Sequence, residues 1–155
     1  MSTLKVNELL NTSGNADITN VGKVLQVVRN SSTSEFDANT TSYQSTFSCS
    51  ITLKSSSSHC LVICTPVRLL QGGSTDGLYR LINTTQGNTG QNIYRVPYNG
   101  SGGKGPSTFI FNYPTTLTAG NSYTFHLQAK TSTADTNILG DNGSTSTMTI
   151  IEYIA

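Results

Sequence analysis

Charged residues are scarce in this sequence. Its nine Lys and Arg and eight Asp and Glu amount to 11% of the chain, against about 25% in a typical soluble domain. The basic residues stand singly, so the sequence lacks the clustered positive face that nucleic-acid binding requires. The net charge of +1 also differs from that of disordered chains, which combine low hydrophobicity with high net charge. We therefore expect a folded domain that does not bind nucleic acid.

Long apolar segments are absent as well. No stretch approaches the ~20 apolar residues of a membrane-spanning helix. Residues 1–8 lack the basic and then apolar profile of a signal peptide. We therefore expect a protein that is made in the cytoplasm and is not inserted into a membrane.

Clusters of reactive side chains are missing too. The two histidines are His59 and His126, and the second lies on the polar side of a predicted strand, where water would surround it. Cys60 and Cys64 would be ~13 Å apart in one strand at ~3.3 Å per residue, too far for a disulfide and without the paired spacing of a zinc site. Together with Cys49 they are predicted to be free, buried thiols. The acidic residues are dispersed, so we predict no catalytic residues, no metal and no cofactor.

What the sequence does contain is Ser, Thr and Asn, more than a third of all residues, together with many short segments that alternate apolar and polar residues. Such alternation predicts β-strands, and Asn-Gly and Asp-Gly pairs between them predict tight turns. From Tyr43 to Leu53 every second residue is predicted to face the core. The predicted strands are 23–28, 43–53, 60–70, 78–82, 92–96, 108–113, 123–129 and 147–154. This pattern indicates an all-β protein, an antiparallel β-sandwich of the jelly-roll kind.

The first 22 residues follow a different pattern from the predicted sandwich of residues 23–155. Apolar residues are spread among Asn, Ser and Gly, and one copy of such a segment cannot enclose them. The predicted contact residues are Leu4, Val6, Leu9, Leu10, Ile18 and Val21. In one interpretation several copies bury these side chains together, in a shaft or an attachment to a larger assembly. In the other, the segment is a strap packed on its own domain.

One glycine-rich segment, residues 96–106, has the composition of a binding loop. Tyr79, Tyr94 and Tyr98 could stack on sugar rings, while Asn99 and Lys104 could donate hydrogen bonds. One interpretation is a glycan-binding site. The alternative is a solvated hairpin whose tyrosines lie half in the core.

Both ends of the sequence resemble a known group of proteins. The opening Met1-Ser2-Thr3-Leu4-Lys5-Val6-Asn7, the following Thr12-Ser13-Gly14-Asn15 and the closing Ser/Thr-rich strand with Glu152 are similar to small virion structural and tail-fibre-like proteins of tailed bacteriophages, notably those of marine bacteria. The resemblance covers the first half and the last strand, whereas residues 65–120 carry no matching motif. It implies a β-sandwich head behind a short attachment segment, generally trimeric and displayed on a virion.

The resulting expectation is a non-enzymatic subunit of a short trimeric fibre or spike. Its partners would be its own copies, other virion proteins and a host surface glycan. Two alternatives stay open at this point. One is a capsid decoration or cement protein, and the other is a free carbohydrate-binding module.

Overall fold

The computed structural model describes residues 23–38, 40–65, 69–71, 77–84, 91–96, 103–104, 108–113, 117–131, 137–139 and 145–154. They form twelve strands, eight longer ones and four short ones. The longer strands are β1 (Val24–Ser32), β3 (Gln44–Thr52), β4 (Ser58–Thr65), β6 (Gly77–Asn83), β7 (Gln91–Val96), β9 (Phe109–Tyr113), β10 (Ser122–Thr131) and β12 (Ser146–Ile154). The short strands are β2 (Phe36–Asp37), β5 (Leu69–Gln71), β8 (Gly103–Lys104) and β11 (Asn137–Leu139). Among the described residues no helix is long and apolar enough to cross a membrane.

The eight longer strands form two antiparallel sheets that pack face to face. Sheet 1 has the order β1-β12-β4-β9 and sheet 2 the order β3-β10-β6-β7. Strands that follow one another in the sequence mostly change sheets, and the resulting order is that of two interlocked Greek keys, a jelly roll. The predicted all-β sandwich is confirmed, and each predicted strand overlaps an observed one.

The predicted strand 60–70 is wrong as a single element. β4 ends at Thr65, and β5 belongs to a different sheet. The sequence places Pro66 directly after Thr65, and proline cannot donate a hydrogen bond to a strand ladder. A single strand therefore cannot continue unbroken through this position.

The four short strands form a third sheet at one end of the sandwich. Their order is β2-β11-β5-β8, with all neighbours antiparallel. Each of them lies in the connection between two longer strands that leave and enter the sandwich at this same end. We call this end the third-sheet end. All four connections there are thus joined by backbone hydrogen bonds.

The opposite end carries both ends of the described chain, and we call it the terminal end. The backbone N–H of Ile154 donates to the carbonyl of Lys23 at 3.0 Å. The turn between β3 and β4 also lies here, and it contacts the turn before β10 through the Gly120 N–H, which donates to the Leu53 carbonyl at 2.8 Å. Gly120 has a φ of 82°, a value that glycine adopts without strain.

The core fills the space between the two sheets, as the alternating pattern predicts. In β9 the buried residues are Phe109, Phe111 and Tyr113, while the residues between them are exposed. The ring of Phe109 stacks on Tyr79 at 4.9 Å, and Tyr113 meets Phe125 edge to face at 5.3 Å. These aromatic pairs join the two sheets. Their ring geometry stabilises the fold in addition to the apolar area that they bury.

The alternation predicted from Tyr43 to Leu53 is only partly correct. Cys49, Ile51 and Leu53 are buried in the core as predicted. The pairing with β10 shifts between Ser48 and Ser45, where β3 has one extra residue. Such a bulge reverses which side of the strand faces the core. Tyr43 therefore lies on the outer side of sheet 2, away from the core.

Candidate functional site

The structure removes one tyrosine from the predicted glycan site. Tyr79 is 0% exposed and its ring stacks on Phe109 inside the core. The prediction that it could stack on a sugar is wrong, because β6 is an inner strand of sheet 2 and Tyr79 faces inward.

The other residues of the predicted glycan site lie partly beyond the described residues. Tyr94 belongs to β7, where its backbone pairs with Tyr79, and Lys104 belongs to β8, paired with Leu69. Their side chains, and all of Tyr98 and Asn99, fall outside the described part of the chain. The structure does fix where the connection begins and ends. β7 ends and β8 lies at the third-sheet end, so residues 97–102 start and finish there.

The predicted attachment segment also lies outside the described residues. This applies to its six contact residues, Leu4, Val6, Leu9, Leu10, Ile18 and Val21. The described chain begins at Lys23, at the terminal end. The attachment segment and the predicted glycan loop therefore join the sandwich at opposite ends.

Sheet 1 has an outer surface that the sequence analysis did not anticipate. Directly opposite residues of an antiparallel pair point to the same side, so the register identifies the outward-facing side chains. They are Val24, Val27, Arg29, Ser31, His59, Leu61, Ile63, Thr65, Ile110, Asn112, Thr147, Thr149, Ile151 and Tyr153. We call this surface the apolar face.

The apolar face is unusual for the outside of an antiparallel sheet, which normally carries polar residues. Val24 is 53% exposed, Val27 58% and Ile110 50%. Leu61, Ile63 and Ile151 lie between them on the two central strands, half-buried by their neighbours. Ile151 lies opposite Val27 and Leu61, and Ile63, two residues after Leu61, lies opposite Ile110. A staggered row of aliphatic side chains thus crosses all four strands. Arg29 is the one fully charged side chain among the outward-facing residues.

The corresponding surface of sheet 2 is polar, and we call it the polar face. The outward residues of β3, β10 and β6, with Tyr43 beside them, are Tyr43, Ser45, Ser48, Ser50, Thr52, Leu78, Arg80, Ile82, Ser122, Thr124, His126, Gln128 and Lys130. Most of them are hydroxyl, amide or basic side chains, as expected for a solvated sheet.

Tyr43 is the centre of a small cluster on the polar face. The Arg80 guanidinium carbon lies 3.9 Å from the ring centroid and the Lys130 ammonium 4.7 Å, so both cations interact with the π-system. The Arg80 Nε donates to the Gln128 Oε1 at 2.8 Å, and the Gln128 amide donates to the Ser45 hydroxyl at 3.2 Å. Burial raises the pKa of Tyr43, and the nearby Arg80 charge partly opposes this rise. The cluster therefore holds the start of β3 against β6 and β10.

Glu152 is a buried carboxylate that the sequence analysis did not single out. It is 0% exposed and lies on the inner side of β12. Its oxygens accept hydrogen bonds from the Ser58 hydroxyl at 2.6 Å, the Gln26 amide at 2.6 Å, the Lys54 N–H at 3.0 Å and the Ser55 N–H at 3.1 Å. Burial alone would raise its pKa, but these donors outweigh burial and lower it.

The contacts of Glu152 identify its role as structural. Its donors come from β1, from the turn between β3 and β4, and from β4, so one carboxylate connects three segments at the terminal end. Every donor is a neutral group that stabilises the charged form. The inner position of Glu152, two residues after the buried Ile150, was the signal in the sequence that could have revealed it.

The cysteines and His126 have no reactive arrangement. All three cysteines are free and buried, which confirms the prediction. Burial raises the pKa of Cys49 and Cys64, and burial together with the Glu152 charge raises the pKa of Cys60 to about 12. His126 lies on the outer side of β10 as predicted, but it is half-buried, and this burial lowers its pKa.

Neither a pocket nor a metal-binding group marks an active site in the described part of the chain. A cavity of about 60 Å³ lies at the edge of the sandwich between β1 and β3, well below the roughly 300 Å³ of a small-molecule pocket. Its lining residues are Ser32, Ser34, Glu35, Phe36, Thr46, Phe47 and Ser146. No three His, Cys, Asp or Glu side chains of the described residues are grouped so that they could hold a metal ion.

Comparison with known proteins adds no relative to this description. No protein-family model matches the sequence, and no curated protein matches it either.

Proposed function

We propose that this chain is a structural subunit of a bacteriophage particle, a short trimeric fibre or spike that contacts the host surface. The observation that supports this proposal best is the separation of the two ends of the head. Residues 1–22 join the sandwich at the terminal end. The predicted glycan loop, residues 96–106, begins at the end of β7 and includes β8 at the third-sheet end.

The distance between these ends suits a protein that is held on one side and makes contact on the other. The longest strands have nine or ten residues, which at ~3.3 Å per residue gives a head about 30 Å long. A segment that anchors the chain to a particle would leave the third-sheet end facing outward. In a decoration protein that lies flat on a capsid, this separation would have no use.

The third sheet supports the same assignment. Loops carry binding functions most often when a rigid scaffold positions them. Here the connections at the outward end are joined by one hydrogen-bonded sheet, which includes β8, the strand directly after residues 97–102. A contact loop at this end would therefore be held at its base.

The composition of the surface is compatible with this role. A skin of Ser, Thr and Asn can form hydrogen bonds to neutral sugars without the charge that would attract nucleic acid. Glu152 and the three buried cysteines serve the core and its connections. The buried polar groups of the head thus stabilise the fold, and the exposed ones form its surface.

Labelling of the intact particle tests this proposal. Gold-labelled antibody against the chain should mark the tail or a projecting fibre in electron micrographs. An antibody fragment against residues 97–102 should block adsorption to host cells. A fragment against the exposed turn at Ser56 and Ser57, which lies at the terminal end, is the matched control and should block adsorption far less.

Each possible result separates the proposal from its alternatives. Label spread over the capsid, with no effect of either fragment on adsorption, would instead identify a decoration or cement protein. Absence of the chain from purified particles would overturn the proposal altogether.

A further inference from the structure

The apolar face of sheet 1 has no role in the core, since its side chains point away from sheet 2. We infer that it is the surface on which a second copy of this chain packs, so that sheet 1 lies inside the assembled fibre or spike and sheet 2 lies outside. This inference rests on the proposed function and names the contact surface that the function requires.

The first argument is the cost of leaving this face in water. Val24, Val27 and Ile110 are each at least half exposed, and they belong to one continuous row with Ile151, Leu61 and Ile63. Single exposed apolar residues are common on protein surfaces, but contiguous ones mark interaction sites. The row crosses from one edge strand of sheet 1 to the other, so the whole width of the sheet is available for contact.

The second argument is size. Four strands at ~4.8 Å spacing, up to nine residues long at ~3.3 Å each, give a face of about 30 Å by 19 Å. One copy therefore offers roughly 500 Å². Three copies that turn this face to a common axis would together bury about 1,500 Å², which is comparable to the area of specific interfaces. Contacts made by the attachment segments would add to this area.

The third argument concerns charge, which selects the partner. Among the outward-facing residues Arg29 alone is fully charged, and it lies on the edge strand β1. A nucleic acid or an acidic protein would need more cations on this face. A second copy presents the same face, whose one full charge lies on an edge strand, so neither partner must bury a charge at the centre of the contact. The hydroxyls of Thr147 and Thr65 can form hydrogen bonds at the rim of such a contact.

The polar face provides the internal comparison. It belongs to the same fold and also has four strands, yet its outward residues are mainly Ser, Thr, His, Gln, Arg and Lys. Since the jelly roll itself accepts a polar outer face on sheet 2, the fold does not demand an apolar one on sheet 1. A contact with another molecule accounts for the difference.

The test uses the full-length chain and its molar mass in solution. Analytical ultracentrifugation should give wild-type protein a mass of several times the 16.5 kDa of one chain. The double variant Val27→Lys with Ile110→Lys places one charge at each edge of the apolar face, on side chains that point to solvent. We expect its mass to fall to that of a monomer, or its dissociation constant to rise at least 100-fold. Ser50→Lys, an exposed change on the edge strand of sheet 2, is the matched control and should keep the wild-type mass.

Folding of each variant is checked separately. Circular dichroism should show unchanged β content, and the milder double variant Val27→Thr with Ile110→Thr, which retains strand propensity, should weaken association at least tenfold. A folded Lys variant that still sediments like wild type would overturn the inference and leave the proposed function standing. A wild-type chain that is monomeric at every concentration would overturn both.

Discussion

The two sheets of this jelly roll differ most on their outer sides. Sheet 2 follows the usual rule of an antiparallel sheet, with apolar residues inside and polar residues outside. Sheet 1 also carries aliphatic residues on its outer side, among Arg29, His59, Asn112 and several hydroxyl side chains. The inner sides are similar because both sheets share one core. Packing of the shared core alone does not explain the difference between the outer sides.

The largest effect is expected inside sheet 1, at Glu152. Glu152→Ala removes the acceptor of the Lys54 and Ser55 N–H groups, and unsatisfied buried donors are costly. The Ser58 hydroxyl and the Gln26 amide each lose one of two acceptors. We expect a loss of about 3 kcal/mol in the free energy of unfolding and a melting temperature lower by about 10 °C. Urea denaturation and calorimetry would measure both values.

The control for this prediction is Thr149→Ala, on the outer side of the same strand, which should cost less than about 1 kcal/mol in the monomeric double variant. Equal losses at Glu152 and Thr149 would show that the buried carboxylate has no special role. Such a result would remove the main difference between the inner sides of the two sheets.

A smaller effect is expected on the polar face. Arg80→Ala removes the cation over the Tyr43 ring and the hydrogen bond to Gln128, and a partly exposed cation–π contact contributes about 0.5–1 kcal/mol. We expect the free energy of unfolding to fall by about 1 kcal/mol. Arg29→Ala, the corresponding removal of a cation from the apolar face, should change it by less than about 0.5 kcal/mol in the monomer. A larger loss for Arg29→Ala than for Arg80→Ala would contradict the described contacts.

Stability should fall in two separate pH ranges, one set by His126 on sheet 2 and the other by Glu152 on sheet 1. The folded pKa of His126 lies below its usual 6.5, so the unfolded chain takes up the proton more readily and stability falls as the pH drops below about 6.5. The folded pKa of Glu152 lies below 4.5, so its contribution is present above that pH and is lost as the pH falls below it. His126→Gln should flatten only the first decrease, and Glu152→Gln only the second. Urea titrations from pH 7.5 to 3 would show both.

The smallest effect is expected at the cysteines. A thiol reagent should leave Cys49, Cys60 and Cys64 unmodified in the native protein, because all three are buried and reaction requires an exposed thiolate. All three should react in urea. Rapid labelling of any of them under native conditions, measured by mass spectrometry, would show that the core opens more readily than its packing indicates.

The sequence predicted the core residues well. It predicted the structure outside the core poorly. Alternation identified the buried residues of β9 and β10, because a strand with one solvated side must repeat every second residue. It failed at Tyr43, because a bulge reverses the alternation and leaves no mark in the composition. The third sheet was missed because strands of two or three residues are too short to show any period.

The apolar face was also not predicted, although two apolar runs in the sequence indicate it. The residues from Cys60 to Cys64 are all apolar, and Ile150 is followed directly by Ile151. Continuous apolar runs are typical of strands that are buried on both sides. Only the register, which aligns Ile151 with Val27 and Leu61, shows that these extra residues form one surface.

The position of β1 has a mechanical consequence for a head that is anchored at one end. β1 leaves the terminal end through Lys23 and pairs with β12 along its length, from Val24 opposite Tyr153 to Ser32 opposite Ser146. A pull on the anchor, with the far end held by a host cell, would act along β1. Since the ladder bonds lie perpendicular to the strands, such a pull loads them together in shear instead of opening them one after another. An anchored head of this design would resist detachment best in the direction in which the attached particle pulls.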